Sequence, residues 1–341
     1  VGARAFLTLL RAWPEAPGTA FSGEPEALVR AAARHGLAGF IEEALAHAGW
    51  ALPDTAREAL RRESRGSAAR AIRVHALLLR SLEALAAVGV VPVVLKGSGL
   101  ARRLYPEPFH RATTDVDLLV APAQVEAASR ALEGLGLVPV ARRPGQGGEH
   151  AHHREFHGPA GLVELHYRAL ATGGLALEAG VLLAHAEAFE LEGHPVRYLR
   201  AEEELVYLAL HASNHLLQRL AWLMDLKLLL RANPALSWPR VVEVARGTAF
   251  PHLAWYALDA AHRLLGLAVP PEVLAALAPP RWQRALAQRF FSEERLLGAR
   301  LAAHRAEWFA VKLLLAPRVR PMARYVLWRL GEALPWKGPP A

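Results

Sequence analysis

The chain has no cysteine among its 341 residues. Disulfide frameworks, thiolate metal sites and thiol nucleophiles are thereby excluded, and a cytoplasmic setting is the simplest expectation. Lysine is almost as scarce: Lys96, Lys227, Lys312 and Lys337 are the only four, so arginine carries the net charge of +8. That balance fits an electropositive surface for phosphates, and it fits equally a compositional bias toward Arg and Ala. No apolar run is long and uncharged enough to span a bilayer, because Arg80 and Glu83 interrupt residues 74–94 and Asp225 and Lys227 interrupt residues 221–230. Val1 to Leu10 lacks the apolar core and cleavage site of a secretory signal. With 53% hydrophobic and 21% charged residues, a disordered chain is excluded and more than one packed core is expected.

Three regions follow from periodicity and punctuation. Residues 1–88 carry apolar residues at helical spacing over Ala27–Ala33, Gly39–Ala48 and Ala56–Leu85, broken at Pro14–Gly18 and Pro53. Residues 89–200 switch to short β-branched runs separated by Gly and Pro, with one helix over about Ala123–Leu135 and a hairpin over Arg154–Tyr167 turning at Gly158-Pro159-Ala160-Gly161. Residues 201–341 return to helical spacing, with breaks at Asn233-Pro234, Pro251, Pro270-Pro271 and Pro279-Pro280. The predicted class is α+β, a small mixed sheet flanked by N-terminal and C-terminal helical regions. Gly145-Gln146-Gly147-Gly148 reads as a loop, and its place between two predicted strands makes it a candidate lid.

The chemistry concentrates in the middle region. In Asp115-Val116-Asp117-Leu118-Leu119-Val120, strand alternation puts both aspartates on one face while Val116, Leu118 and Val120 turn to a core. Two acids on one strand face repel unless a cation lies between them, and oxygen ligands favour a hard ion such as Mg²⁺. Val163-Glu164-Leu165-His166 alternates in the same way, so if the two strands are neighbours, three carboxylates converge. Such a set can hold two metal ions on a phosphate. Upstream, Val91–Leu95 reads as a short buried strand and Gly97-Ser98 as the opening of a helix through Leu104, a turn suited to phosphate.

These residues, Leu95-Lys96-Gly97, Tyr105-Pro106, Arg111, Asp115–Val120, Glu164-Leu165-His166, and the later His211 and Asp225, resemble the DNA polymerase β-like nucleotidyltransferase superfamily. More narrowly they resemble its bacterial group of uncharacterised nucleotidyltransferases, over about residues 90–230. The gap from Gly97 to Asp115 is longer than in many polymerase β-like enzymes and suits the narrower group. The resemblance implies transfer of a nucleoside monophosphate from a nucleoside triphosphate to a hydroxyl, with Mg²⁺ or Mn²⁺ as cofactor. Asp115, Asp117 and Glu164 would then be the metal ligands and catalytic acids. Lys96, Gly97, Ser98 and Arg111 would hold phosphates, and His166, His211, Arg219 and Asp225 would complete the nucleotide-binding cleft.

Two histidine groups have plainer readings. His150, His152, His153 and His157 lack a clear zinc spacing, and contact with phosphate or proton transfer is the favoured use. His211 and His215 share a helix face among leucines and read first as packed histidines. The acceptor is open between RNA or tRNA, protein and a small hydroxylated molecule. The rival functions are a catalytically inactive nucleotide- or RNA-binding module and a helical protein touching membrane through the Trp/Arg-rich segment Glu307–Trp336.

Overall fold

A computed structural model describes residues 2–140, 152–172, 175–298, 305–316 and 323. The candidate lid at 145–148, His150 and most of the segment 307–336 lie outside the described residues. Four helices open the chain: α1 (Gly2–Ala12), α2 (Pro25–Arg34), α3 (Ala38–Ala48) and α4 (Asp54–Ala87). Their stops are local. Gly49 ends α3 at φ 65°, and Gly89, at φ 71°, turns the chain after α4 toward the sheet.

The middle of the chain alternates strands and short helices: β1 (Val93–Val94), α5 (Ser98–Leu104), β2 (Asp115–Leu119), α6 (Val125–Gly134), β3 (Val138–Pro139), β4 (His153–Gly158) and β5 (Gly161–His166). A separate hairpin, β6 (Arg168–Thr172) with β7 (Leu175–Glu178), is followed by α7 (Ala179–Leu183), β8 (Ala186–Leu191) and β9 (His194–Leu199). Seven strands form one sheet in the order β3-β4-β5-β2-β1-β9-β8. It is mixed, since β2 runs parallel to β5 and β1 parallel to β9 while the other pairs are antiparallel. The β8–β9 turn is Glu192-Gly193, both at positive φ (49° and 83°), the backbone that a two-residue hairpin demands.

The remaining helices are α8 (Ala201–Asn214), α9 (Leu220–Ala232), α10 (Trp238–Gly247), α11 (Pro251–Leu265), α12 (Pro271–Leu277), α13 (Arg281–Phe290), α14 (Glu293–Leu297) and α15 (Arg305–Leu314). Proline opens several of them: Pro251 and Pro271 are first helical residues, where a missing N–H costs nothing.

Strand alternation divides the apolar residues between two cores. Val116, Leu118, Val120, Val163 and Leu165 pack with Leu78 and Leu82 of α4 and Leu132 of α6. The opposite face sends Val93, Leu95 and Leu119 into a larger cluster that joins Phe6, Leu10 and Phe40 of the N-terminal helices to Leu223, Leu226 and Leu258 of the C-terminal ones. The two helical regions therefore share apolar packing, and the sheet lies between the cores with its polar residues on the second face.

Candidate active site

The site begins with register. Asp117 on β2 stands directly opposite Glu164 on β5, and Leu119 opposite His166, in a parallel pair. Every second residue shares a face, so Asp115, Asp117, Glu164 and His166 project from the same side. The two strands are neighbours, and two of the three acids, Asp117 and Glu164, meet across them. Oxygen or nitrogen atoms of Asp117, Glu164 and His166 lie within 4.8 Å of one another, a spacing that fits a metal ion. His166 Nε2 is 3.2 Å from Asp117 Oδ1 and 3.2 Å from Glu164 Oε2.

Lys96 is the counter-charge. It follows β1, whose partner is β2, and its Nζ lies 2.5 Å from Asp117 Oδ2 and 3.3 Å from Asp115 Oδ2. The Asp117 Oδ2 contact is an ion pair, and that fully buried oxygen has no hydrogen-bond partner besides it. Burial works against the Lys96 ammonium, but Asp117 and then Asp115 outweigh it and raise its pKa. For Glu164, burial pushes upward, while the His166 contact and the Lys96 charge pull its carboxyl down to about 2. His166 is held above its ordinary value, because Asp117 and Glu164 favour the imidazolium more than burial opposes it.

Gly97 closes the floor. Its φ is 67° and a Cβ there would stand 3.3 Å from both the Asp115 carbonyl oxygen and Thr113 Cγ2. A side chain would be strained in that backbone and would crowd the acids. Next to it, Ser98 Oγ is 2.9 Å from Nδ1 of His75, a residue of α4, whose Nε2 is 3.1 Å from Glu192 Oε1 at the β8–β9 turn. Glu192 also receives Arg102 of α5. Sequence reasoning missed His75 and Glu192. One sits within an amphipathic helix and the other in a hairpin turn, and neither spacing announces a partner in Ser98.

The other predicted site residues divide. Arg111 and Asp225 meet each other: Arg111 Nε donates to Asp225 Oδ1 at 2.8 Å and its Nη2 donates to Oδ2 at 2.8 Å, while the Tyr105 hydroxyl donates to Oδ1 at 2.7 Å. All three are buried, so Arg111 holds Asp225 where a phosphate contact was expected of it. His211 is buried on α8 in a group of rings with His215 (4.7 Å) and Trp222 of α9 (5.3 Å). Burial, then the nearby His215 and Lys96 charges, keep it neutral far below its usual pKa. Arg219 is exposed immediately before α9. Between α8 and α9, Leu216 and Leu217 both take φ 52°, a left-handed backbone uncommon for leucine that aims this turn. Tyr207 of α8 is buried, and the Lys96 charge and the Asp117, Glu164 and Asp115 carboxylates act on its phenol.

The residues fit a divalent cation. Three carboxylates share one ammonium and one imidazole, the donor set is mostly oxygen, and Asp117 Oδ2 lacks a hydrogen bond. A mixed sheet flanked by helical regions, with two aspartates and a glutamate offered from parallel neighbours beside a glycine turn, is consistent with a nucleotidyltransferase-like α+β fold. A model of the family described as uncharacterised nucleotidyltransferase matches residues 22–266, and the chain belongs to that family. No curated protein matches the chain. Family membership and the candidate metal ligands together suggest nucleotidyltransferase activity. Among the described residues, no helix is long and apolar enough to cross a membrane.

Proposed function

We propose that the chain transfers a nucleoside monophosphate from a nucleoside triphosphate to an acceptor hydroxyl, releasing pyrophosphate. The observation that carries this reading is the pairing of Asp117 with Glu164 across parallel strands, with His166 completing a set of ligand atoms within 4.8 Å. Bound Mg²⁺ or Mn²⁺ would supply neutralising charge on the phosphates and a lowered pKa for the attacking hydroxyl. Asp115, Asp117 and Glu164 are the residues to hold it. His166, which contacts both Asp117 and Glu164, orients their oxygens.

The phosphates lie against Lys96, the open backbone at Gly97 and the Ser98 hydroxyl. Lys96 has two roles in sequence. It restrains Asp115 and Asp117 when the site is empty of substrate, and its long stem lets the ammonium turn to phosphate when a metal ion takes over the acids. His75 orients the Ser98 hydroxyl from behind. The buried Arg111–Asp225–Tyr105 group fixes the loop ahead of β2 against α9, setting the position of the acids without touching substrate. Positioning and fixed charge supply most of the rate, since phosphoryl transfer asks little covalent work of the protein. RNA or tRNA is the acceptor class slightly favoured, on the arginine-rich charge balance.

Incubation with each α-labelled nucleotide, Mg²⁺ or Mn²⁺ and a total RNA and protein extract tests the reading. Label should enter one acceptor pool with pyrophosphate release, and Asp117→Asn should abolish both. The 2.5 Å contact of Lys96 with Asp117 favours one second reading, a nucleotide-binding module in which the lysine replaces the metal. It predicts nucleotide binding with no pyrophosphate at all.

A further inference from the structure

Beside the acids stands a second group of potential ligands with different chemistry. His152, which immediately precedes β4, His153 on β4 and His166 on β5 bring one ring nitrogen each to within 4.8 Å of the others. His153 and His166 are direct partners across the antiparallel pair, with ring centroids 5.1 Å apart. The His152 ring lies 4.3 Å from His153 and 5.7 Å from His166. Its backbone is pinned, since the His152 carbonyl accepts the Tyr167 N–H at 3.0 Å and the Arg168 N–H at 3.2 Å.

Two of the rings set one nitrogen against a carboxylate, as metal-binding histidines do. His153 Nε2 faces Glu155 Oε1 at 3.1 Å, and His166 Nε2 faces Asp117 Oδ1 and Glu164 Oε2 at 3.2 Å each. A carboxylate beside one nitrogen favours a proton there, the outer-shell pattern that orients imidazoles when a metal ion displaces the proton from the other nitrogen. In both rings the remaining atom, Nδ1, is buried with no hydrogen-bond partner. An unpartnered buried ring nitrogen is costly, and a cation that takes the place of any proton there would satisfy two of them together.

We propose that His152, His153 and His166 form a second metal site, selective for Zn²⁺ or a similar imidazole-preferring divalent ion. Three neutral imidazoles suit zinc and disfavour Mg²⁺, which seeks oxygen. The site is separate from the acids in ligand type and linked to them through His166, whose Nε2 contacts Asp117 and Glu164. An ion on Nδ1 polarises the Nε2 proton toward Asp117 and Glu164. The histidine site therefore tunes the acid pair, and the proposal stands whether or not the acids catalyse nucleotide transfer.

The test is titration of the metal-free full chain with Zn²⁺, and with Co²⁺ for its visible spectrum. One equivalent should bind. His152→Gln and His153→Gln should each weaken Zn²⁺ by about tenfold or more, Glu155→Gln by roughly tenfold through loss of the orienting carboxylate, and Asp115→Asn should leave Zn²⁺ affinity unchanged. Independent of any variant, Zn²⁺ should protect His152 and His153 of the native chain from acylation by diethyl pyrocarbonate while leaving His47, exposed in the last turn of α3, reactive. No stoichiometric Zn²⁺, or equal affinity in folded His152→Gln and His153→Gln chains, would overturn the proposal. None of these readouts uses nucleotide, so they remain decisive if nucleotide transfer itself is not found.

Discussion

Asp117 and Asp225 are both buried aspartates with a cation in contact, yet their surroundings differ. Around Asp225 supply and demand match, because two Arg111 nitrogens and the Tyr105 hydroxyl cover its two oxygens, and the nearby Glu204, which feels the Asp225 charge, has its own partner in Arg103. Around Asp117 they do not match: Asp115 shares its lysine, Glu164 shares its histidine, and Oδ2 lacks a hydrogen bond. A balanced buried pair is a structural strut, and its role ends when the chain is folded. An excess of acid on one sheet face leaves an electrostatic cost that only a cation from outside relieves. The comparison teaches where ligand chemistry is to be sought in this fold.

The sharpest break in the comparison comes from exchanging charge at each position. Asp117→Asn should retain the fold and lower nucleotide transfer by roughly 10³-fold, read as labelled product per minute. Full activity in that variant would end the proposed function. Asp225→Ala should act the other way, on folding: it strands the buried Arg111 guanidinium and should cost about 3–5 kcal/mol in denaturant unfolding, with no rescue by Mg²⁺. Replacing both partners, Arg111→Met with Asp225→Leu, should recover part of that loss, since the Tyr105 hydroxyl is then the group that loses its partner.

His35 extends the strut class to a neutral group. Its Nδ1 accepts the Leu220 N–H at 3.2 Å and its ring stacks on Phe6, tying the N-terminal helices to α9. Burial, then the Arg34 charge, lowers its pKa to about 4. The unfolded chain binds the proton first, so stability is full above about pH 6.5 and falls as pH drops toward 4, by about 3 kcal/mol in all. His35→Gln should flatten that part of the curve, as a pH series of urea midpoints would show. The smallest expected effect is at Gly97. Gly97→Ala should cost about 1–3 kcal/mol of stability from the strained backbone, and calorimetry of the variant would measure it.

Local chemistry made part of this legible in the sequence. Alternation in 115–120 and 161–166, the turn at 158–161 and the glycine before Ser98 named the strands, the hairpin and α5 nearly to the residue, because each depends on near neighbours. The meeting of Asp117 with Glu164 was conditional on strand adjacency, which alternation cannot supply and the parallel β2–β5 register does. Arg111 and Asp225 both stand out in the sequence as nucleotide candidates, but a charge carries no address for a partner 114 residues away. The same holds for His75 with Ser98. The histidines before β4 looked irregular in sequence because their spacing becomes a cluster only when His153 is laid across from His166.

The account rests most directly on a cation site built by Asp117 with Glu164, and Mn²⁺ binding followed by electron paramagnetic resonance measures it without any need for an acceptor. The native chain should take up Mn²⁺ stoichiometrically, and Asp117→Asn should weaken that binding by about tenfold or more while far-ultraviolet circular dichroism stays unchanged. Mn²⁺ held equally by both chains, or by neither, would contradict it.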